Sequence, residues 1–93
     1  MVVGLLRLEV RLPNARTLKE KRSVLNSVKD QLRGRFNISV AEVDANETWQ
    51  RATLGVSTLG NSRAYTEGLL REVTTWVLTT RLVELITVEE DYY

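Results

Sequence analysis

Residues 6–12 alternate strictly between apolar and charged side chains, and no other feature restricts the fold of this 93-residue chain so strongly. Successive side chains of a strand point to opposite faces, so the apolar set shares one face: Leu6, Leu8, Val10 and Leu12. The pattern predicts a half-buried strand. Pro13 ends it, because proline cannot donate a hydrogen bond to a sheet.

A helix is predicted next. Thr17 is its expected N-cap, the helix runs to about Arg33, and Gly34 suits its end. Its expected apolar face consists of Leu18, Val24, Leu25, Val28 and Leu32. Two strands follow over residues 36–45 and 49–59, with a turn at Asn46 and Glu47. In the later strand the apolar face is expected to hold Ala52, Leu54 and Val56.

A second helix is predicted after Asn61 or Ser62, either of which can cap it. Helical spacing assigns its buried face to Tyr65, Leu69, Val73, Trp76, Val77 and Thr80. A last strand is predicted over residues 82–90. This order predicts the α+β, ferredoxin-like β-α-β-β-α-β fold, a four-stranded antiparallel sheet with both helices on one face. Ninety-three residues are enough for a single domain, 1–93.

Composition argues against most enzymatic chemistries. The chain has no cysteine and no histidine, which removes thiolates, sulfur-ligated metals and imidazole bases. The isolated glycines match neither nucleotide-binding fingerprint. We therefore expect a protein that is not an enzyme and has no catalytic residues, metal site or cofactor. The apolar N-terminus lacks the marks of a signal peptide, and no run reaches the ~18 apolar residues of a membrane span. We expect a cytoplasmic protein without a membrane partner.

Charge is unevenly distributed along the chain, although the net charge is only +1. Residues 1–35 carry nine cations and three acids, whereas residues 36–93 carry four cations and nine acids. Such asymmetry is typical of proteins that bind nucleic acid or associate electrostatically with one another.

The positive charge is most concentrated in residues 18–36, which hold six cations and two acids. Spacings of 3, 4, 3 and 4 align five side chains along one flank of the helix: Lys19, Arg22, Asn26, Lys29 and Arg33. A continuous basic stripe can follow a phosphate backbone. The candidate nucleic-acid-binding residues are accordingly Lys19, Arg22, Lys29, Arg33 and Arg35. The competing interpretation is a solvated helix surface.

The open face of the sheet is the second candidate surface, with Arg7, Glu9, Arg11, Arg51 and Thr53 as its expected residues. It lacks the aromatic side chains on which RNA-recognition domains of this architecture stack bases. It could form a homodimer in which Glu9 of one copy meets an arginine of another, bind nucleic acid through arginine, or face solvent. Trp49 either stacks on a partner or closes an edge of the core.

Three segments carry a family resemblance: TLKEKRSVL, RFNISVAEVD and WQRATLGVST. In this order they resemble the YlxP-like family of small bacterial proteins of unknown function, over nearly the whole chain. The resemblance implies the ferredoxin-like fold. It also implies an association with translation, since members are often encoded beside translation-initiation and ribosome-maturation factors and some are described as possible ribosome-binding factors. It supplies no catalytic residues.

Two functions are consistent with these features. The first is a non-enzymatic module that binds RNA or the small ribosomal subunit through the basic helix. The second is a protein-interaction or homo-oligomerising domain that uses the open sheet face. A small-ligand regulatory domain is a weaker third possibility.

Overall fold

The computed structural model describes residues 1–44 and 48–93 and contains six elements in the predicted order. They are strand β1 (Val2–Arg11), helix α1 (Leu18–Arg35), strands β2 (Ser39–Val43) and β3 (Arg51–Gly60), helix α2 (Arg63–Thr79) and strand β4 (Glu84–Tyr92). The turn predicted at Asn46 and Glu47 lies outside the described residues. The sheet is antiparallel with the order β2-β3-β1-β4, which confirms the ferredoxin-like α+β prediction.

Strands β1 and β3 form the centre of the sheet and pair over ten residues each, with Leu8 opposite Leu54. On the other side β1 pairs with β4, where the register shifts between Glu9 and Val10. Glu9 faces Thr87 and Val10 faces Leu85, so Ile86 is an extra residue in β4, as in a β-bulge. The two edges of the sheet are therefore formed by β2 and β4.

One hydrophobic core lies between the sheet and the two helices. The predicted inward faces of β1 and β3 are confirmed, because Leu6, Leu8, Val10, Ala52, Leu54 and Val56 are all buried. Helix α1 contributes Leu25, Val28 and Leu32, and α2 contributes Leu70, Val73 and Val77. Alternate residues of the central strands consequently face away from the core, toward the side of the sheet that no helix covers.

The buried face of each helix differs in part from the prediction. In α1, Leu18 is exposed and Lys21 is buried. In α2, Tyr65 is exposed and Thr66 is fully buried, while Leu69, Trp76 and Thr80 are half-buried. Thr66 turns inward because Gly4 and Gly60 lie beneath it, and a Cβ on either glycine would lie less than 3 Å from its side chain.

The capping predictions hold at the start of both helices. The Glu20 N–H donates to the Thr17 hydroxyl at 3.1 Å, and the Tyr65 N–H donates to the Ser62 hydroxyl at 3.1 Å, so Ser62 rather than Asn61 caps α2. Helix α1 continues through Gly34 to Arg35, and β2 is shorter than predicted. Within residues 1–44 and 48–93, no helix has the length and apolar content needed to cross a membrane.

Candidate functional site

The basic flank of α1 comprises Lys19, Arg22, Asn26, Lys29 and Arg33. The core-facing side of the helix is fixed by Leu25, Val28 and Leu32, so the flank lies to one side of the buried stripe. At 1.5 Å per residue, it extends about 15 Å from Lys19 to Lys29. It is a straight, rigid row of side chains rather than a loop.

Arg33 shows which way the flank faces. Its guanidinium donates to the Val40 carbonyl oxygen at 2.8 Å and lies 3.5 Å from the Asp30 carboxylate. Val40 belongs to β2, the edge strand, so the flank lies along an edge of the sheet that no further strand covers. An elongated partner could approach this side of the molecule without displacing another element.

Three cations of the flank remain uncompensated. Lys19 and Arg22 are exposed and Lys29 is partly exposed, and none forms an ion pair with any residue of 1–44 or 48–93. The two acids of α1 are already engaged, since Glu20 accepts a hydrogen bond from the Arg16 N–H at 2.8 Å and Asp30 pairs with Arg33. The flank therefore presents three positive charges together.

Lys21 belongs to the same basic stretch but has a structural role. The residue is only 5% exposed, and its ammonium donates to the Thr48 carbonyl oxygen at 2.7 Å. It also lies 3.9 Å from the Glu42 carboxylate of β2. Lys21 thus ties α1 to the segments on either side of the hairpin connection and cannot serve as a surface contact.

Arg35 does not lie with the other predicted cations. Its guanidinium carbon lies 5.9 Å from the centroid of the Trp76 ring, on the α2 side of the helix layer. A shallow hollow of about 610 Å³ opens beside this ring and is lined by Phe36, Gly68, Arg71, Glu72, Thr75 and Thr79. Of the five cations predicted to bind nucleic acid, the structure brings Lys19, Arg22, Lys29 and Arg33 together and separates Arg35.

The predicted charged residues of the open sheet face are brought together, but they are largely compensated within the chain. Arg7 pairs with Asp44, and Arg11 donates from Nε to the Glu84 carboxylate at 3.0 Å. Thr53, opposite Glu9, is almost fully buried. Arg51 stands opposite Arg11 at the end of the sheet.

Strand β4 also adds acids to this open face. Glu89 and Asp91 lie opposite Arg7 and Leu5 in the β1–β4 register. Among the described residues, three arginines there face five acids: Glu9, Asp44, Glu84, Glu89 and Asp91. This surface therefore suits an anionic backbone less well than the flank of α1 does.

The sequence-based reasoning missed the apolar part of the same face. Leu5 and Leu59 are exposed there, and a hollow of about 260 Å³ lies over Gly55, lined by Leu5, Ala41, Val43 and Ser57 among others. The alternation of β1 continues backward from Arg7 through Leu5 to Val3, which is the signal that could have located it.

Trp49 is exposed in a turn just before β3, so its predicted role remains a prediction.

Comparison with known proteins places this ferredoxin-like α+β chain in a family. Residues 3–90 match the family described as "Protein of unknown function (DUF503)". The chain is 33% identical over 76 residues to the uncharacterized protein YlxP of Bacillus subtilis (strain 168), covering 82% of this chain and 83% of that protein. The chain therefore belongs to the DUF503 family, as its resemblance to YlxP-like proteins indicated.

Among the solved structures, the similarity with a TM-score above 0.5 supports the fold alone. The de novo designed protein Foldit4 superposes with a TM-score of 0.51 at 13% identity, over 99% of this chain and 94% of the design. Another design, Ferredog-Diesel, gives a TM-score of 0.44 at 16% identity, over 94% of this chain and 83% of the design.

Proposed function

We propose that this protein is an RNA-binding module that associates with the small ribosomal subunit through the basic flank of α1. The observation that carries the proposal is the row of Lys19, Arg22 and Lys29 on one side of a rigid helix. Lys19 and Arg22 are exposed and Lys29 is partly exposed, and none has an acidic partner among the described residues. Such a row attracts a polyanion, because the binding of each phosphate releases condensed counterions.

The chemistry of the flank favours contacts to the backbone over the reading of bases. Lysine and arginine donate to phosphate oxygens, and the exposed Asn26 amide between them can donate to phosphate or sugar. No aromatic side chain lies on the flank, so it lacks the aromatic platform on which RNA-recognition domains stack bases. The function proposed is therefore binding by shape and charge, without catalysis.

The first test is the salt dependence of binding to a structured RNA fragment and to 30S subunits. If three or four phosphates are neutralised, affinity should fall about 20- to 100-fold between ~50 and ~200 mM salt. The variant Arg22→Glu/Lys29→Glu should weaken binding at least about tenfold, because it reverses two charges that have no ion-pair partner among the described residues. It is a better probe than Arg33→Glu, since Arg33 also holds β2.

Arg71→Glu/Arg81→Glu is the matched control, because it reverses two exposed arginines elsewhere on the molecule and lowers the net charge equally. The control should bind nearly as tightly as wild type. Equal losses in the two variants would show that only net charge matters, and a flat salt response would contradict the proposal outright.

A further inference from the structure

Trp49 is an exposed aromatic side chain close to the basic stretch of α1. It is 45% exposed in the turn before β3, and it is not among the hydrophobic residues that pack against the core of the described chain. Trp76, by contrast, packs against that core. Of the two roles that the sequence allows for Trp49, contact with a partner therefore fits the structure better than closure of a core edge.

The backbone on both sides of Trp49 is fixed by hydrogen bonds. The Lys21 ammonium donates to the Thr48 carbonyl oxygen at 2.7 Å. The Leu12 N–H donates to the Gln50 carbonyl oxygen at 2.8 Å. Trp49 thus lies between the first turn of α1 and the end of β1. A side chain on an anchored turn loses little conformational freedom when a ligand packs against it.

Cations lie on both sides of this turn. Lys19 and Arg22 lie within two residues of Lys21 in α1, so the basic flank begins beside the segment that Lys21 binds. Arg51 begins β3, two residues after Trp49. It is exposed and forms no ion pair with any residue of 1–44 or 48–93. A phosphate backbone that passes this end of the molecule therefore meets positive charge before and after the indole.

We propose that Trp49 stacks on an unpaired nucleotide of the RNA whose backbone is held by the basic flank of α1, an inference that rests on the proposed function. The ligand is then an RNA with a loop, a bulge or a single-stranded end next to the bound backbone, rather than a continuous duplex. Neighbouring pairs cover the faces of bases in a duplex, whereas an unpaired base can present its face to an aromatic side chain. Every base has such a face, so this contact does not require a particular sequence.

The stacking contact and the flank are separable by their response to salt. Each phosphate contact releases counterions, so its contribution to affinity falls as the salt concentration rises. The indole carries no charge and releases no counterion. Loss of the Trp49 ring should therefore lower the affinity by a similar factor at ~50 and ~200 mM salt, whereas loss of the flank charges should reduce the salt dependence itself.

Binding of Trp49→Ala protein to two RNA probes tests this inference: a hairpin with a single-stranded loop, and a blunt duplex with the sequence of its stem. For the hairpin, Trp49→Ala should lower the affinity about 5- to 150-fold at both salt concentrations, which corresponds to one stacked base. For the duplex, Trp49→Ala should bind like wild type. Trp49→Phe retains an aromatic ring and should recover part of the loss on the hairpin.

Tyr65→Ala is the matched control, because it removes an exposed aromatic ring elsewhere on the molecule. Tyr65 is 59% exposed and lies beside Gly60, at the opposite end of β3 from Arg51. The control should bind both probes like wild type. Unchanged far-UV circular dichroism and melting would show that each variant is folded.

Two results would overturn the stacking contact and leave the flank as an RNA site: equal hairpin affinities for Trp49→Ala and wild type, or equal losses on the hairpin and the duplex. Failure of the flank itself would look different. Wild-type protein would then bind neither probe at low salt, and that result would overturn both proposals.

Discussion

At the scale of single residues, Gly4 and Gly68 show how differently two glycines are constrained. A Cβ at position 4 would lie 2.5 Å from Thr66 Cγ2 and 2.7 Å from Leu70 Cδ1, so α2 packs directly on the backbone of β1. A Cβ at position 68, which lines the hollow beside Trp76, would have no atom within 4 Å. The constraint on Gly4 could not be read from the sequence, because it comes from side chains of α2 that lie more than 60 residues away along the chain.

The two glycines therefore predict opposite effects on the free energy of unfolding. Gly4→Ala should destabilise the protein by about 1–3 kcal/mol, because the methyl group forces α2 away from β1. Gly68→Ala should stabilise it by up to about 1 kcal/mol, because alanine has the higher helix propensity and its methyl group would meet no other atom. Urea denaturation of the two variants beside wild type measures both changes. Shifts in the same direction would contradict this packing of α2 on β1.

Lys21 shows that the number of cations in a stretch of sequence is not the number of cations on the surface. The stretch 18–36 holds six cations, yet Lys21 is buried, Arg33 is bonded to β2 and Arg35 lies beside Trp76. The spacing of the flank was readable from the sequence. The partners of Lys21 and Arg33 were not, because they lie on chain segments that approach α1 only after the sheet has formed.

At the scale of elements, the sequence was sufficient to predict the order, number and type of strands and helices. Alternation and helical spacing are local properties, and the capping residues Thr17 and Ser62 mark where each helix begins. The rotation of α2 was predicted wrongly, since Thr66 rather than Tyr65 faces the core. Thr66 can be buried because its hydroxyl donates to the Ser62 carbonyl oxygen at 2.8 Å.

The contact between α2 and β4 centres on Tyr92. The Arg63 guanidinium carbon lies 4.7 Å from the ring centroid, and the hydroxyl is buried without a hydrogen bond to the described residues. Burial raises the pKa of the Tyr92 hydroxyl above its ordinary value of 10.0, and the negative charges of Glu90 and Glu67 raise it further. The neutral phenol is thus preferred in the folded protein.

This raised pKa predicts the direction of a pH effect. The folded state retains the Tyr92 proton at pH values where the unfolded chain loses it, so the stabilisation is complete below about pH 10 and declines as the pH rises further. Tyr92→Phe should reduce that decline. It should cost little stability at neutral pH, because no hydrogen bond to the described residues is lost.

Thermal melts between pH 7 and 11 measure the effect of Tyr92→Phe. Tyr65→Phe, at an exposed tyrosine, is the control and should follow wild type. A steeper decline for Tyr92→Phe than for wild type would contradict the account.

At the scale of the whole molecule, the basic and acidic halves of the sequence do not form two oppositely charged halves of the structure. Arg7 and Arg11 come from the basic half, yet Asp44 and Glu84 compensate them on the open sheet face. Lys19, Arg22 and Lys29, which have no ion-pair partner in the described part of the chain, lie on the helix side, along the β2 edge. Local patterns could predict the fold and the flank, but not which charges the antiparallel pairing would neutralise.

The central claim is that α1 meets RNA through its basic flank, and NMR mapping tests it most directly. ¹⁵N-labelled protein would be titrated with a structured RNA fragment at low salt. We predict shift changes concentrated in the backbone amides of residues 19–33 and in the Asn26 side-chain amide, with the amides of Leu5 and Leu59 unaffected at a constant protein concentration. Changes confined to the open sheet face, or no changes at saturating RNA, would contradict the claim.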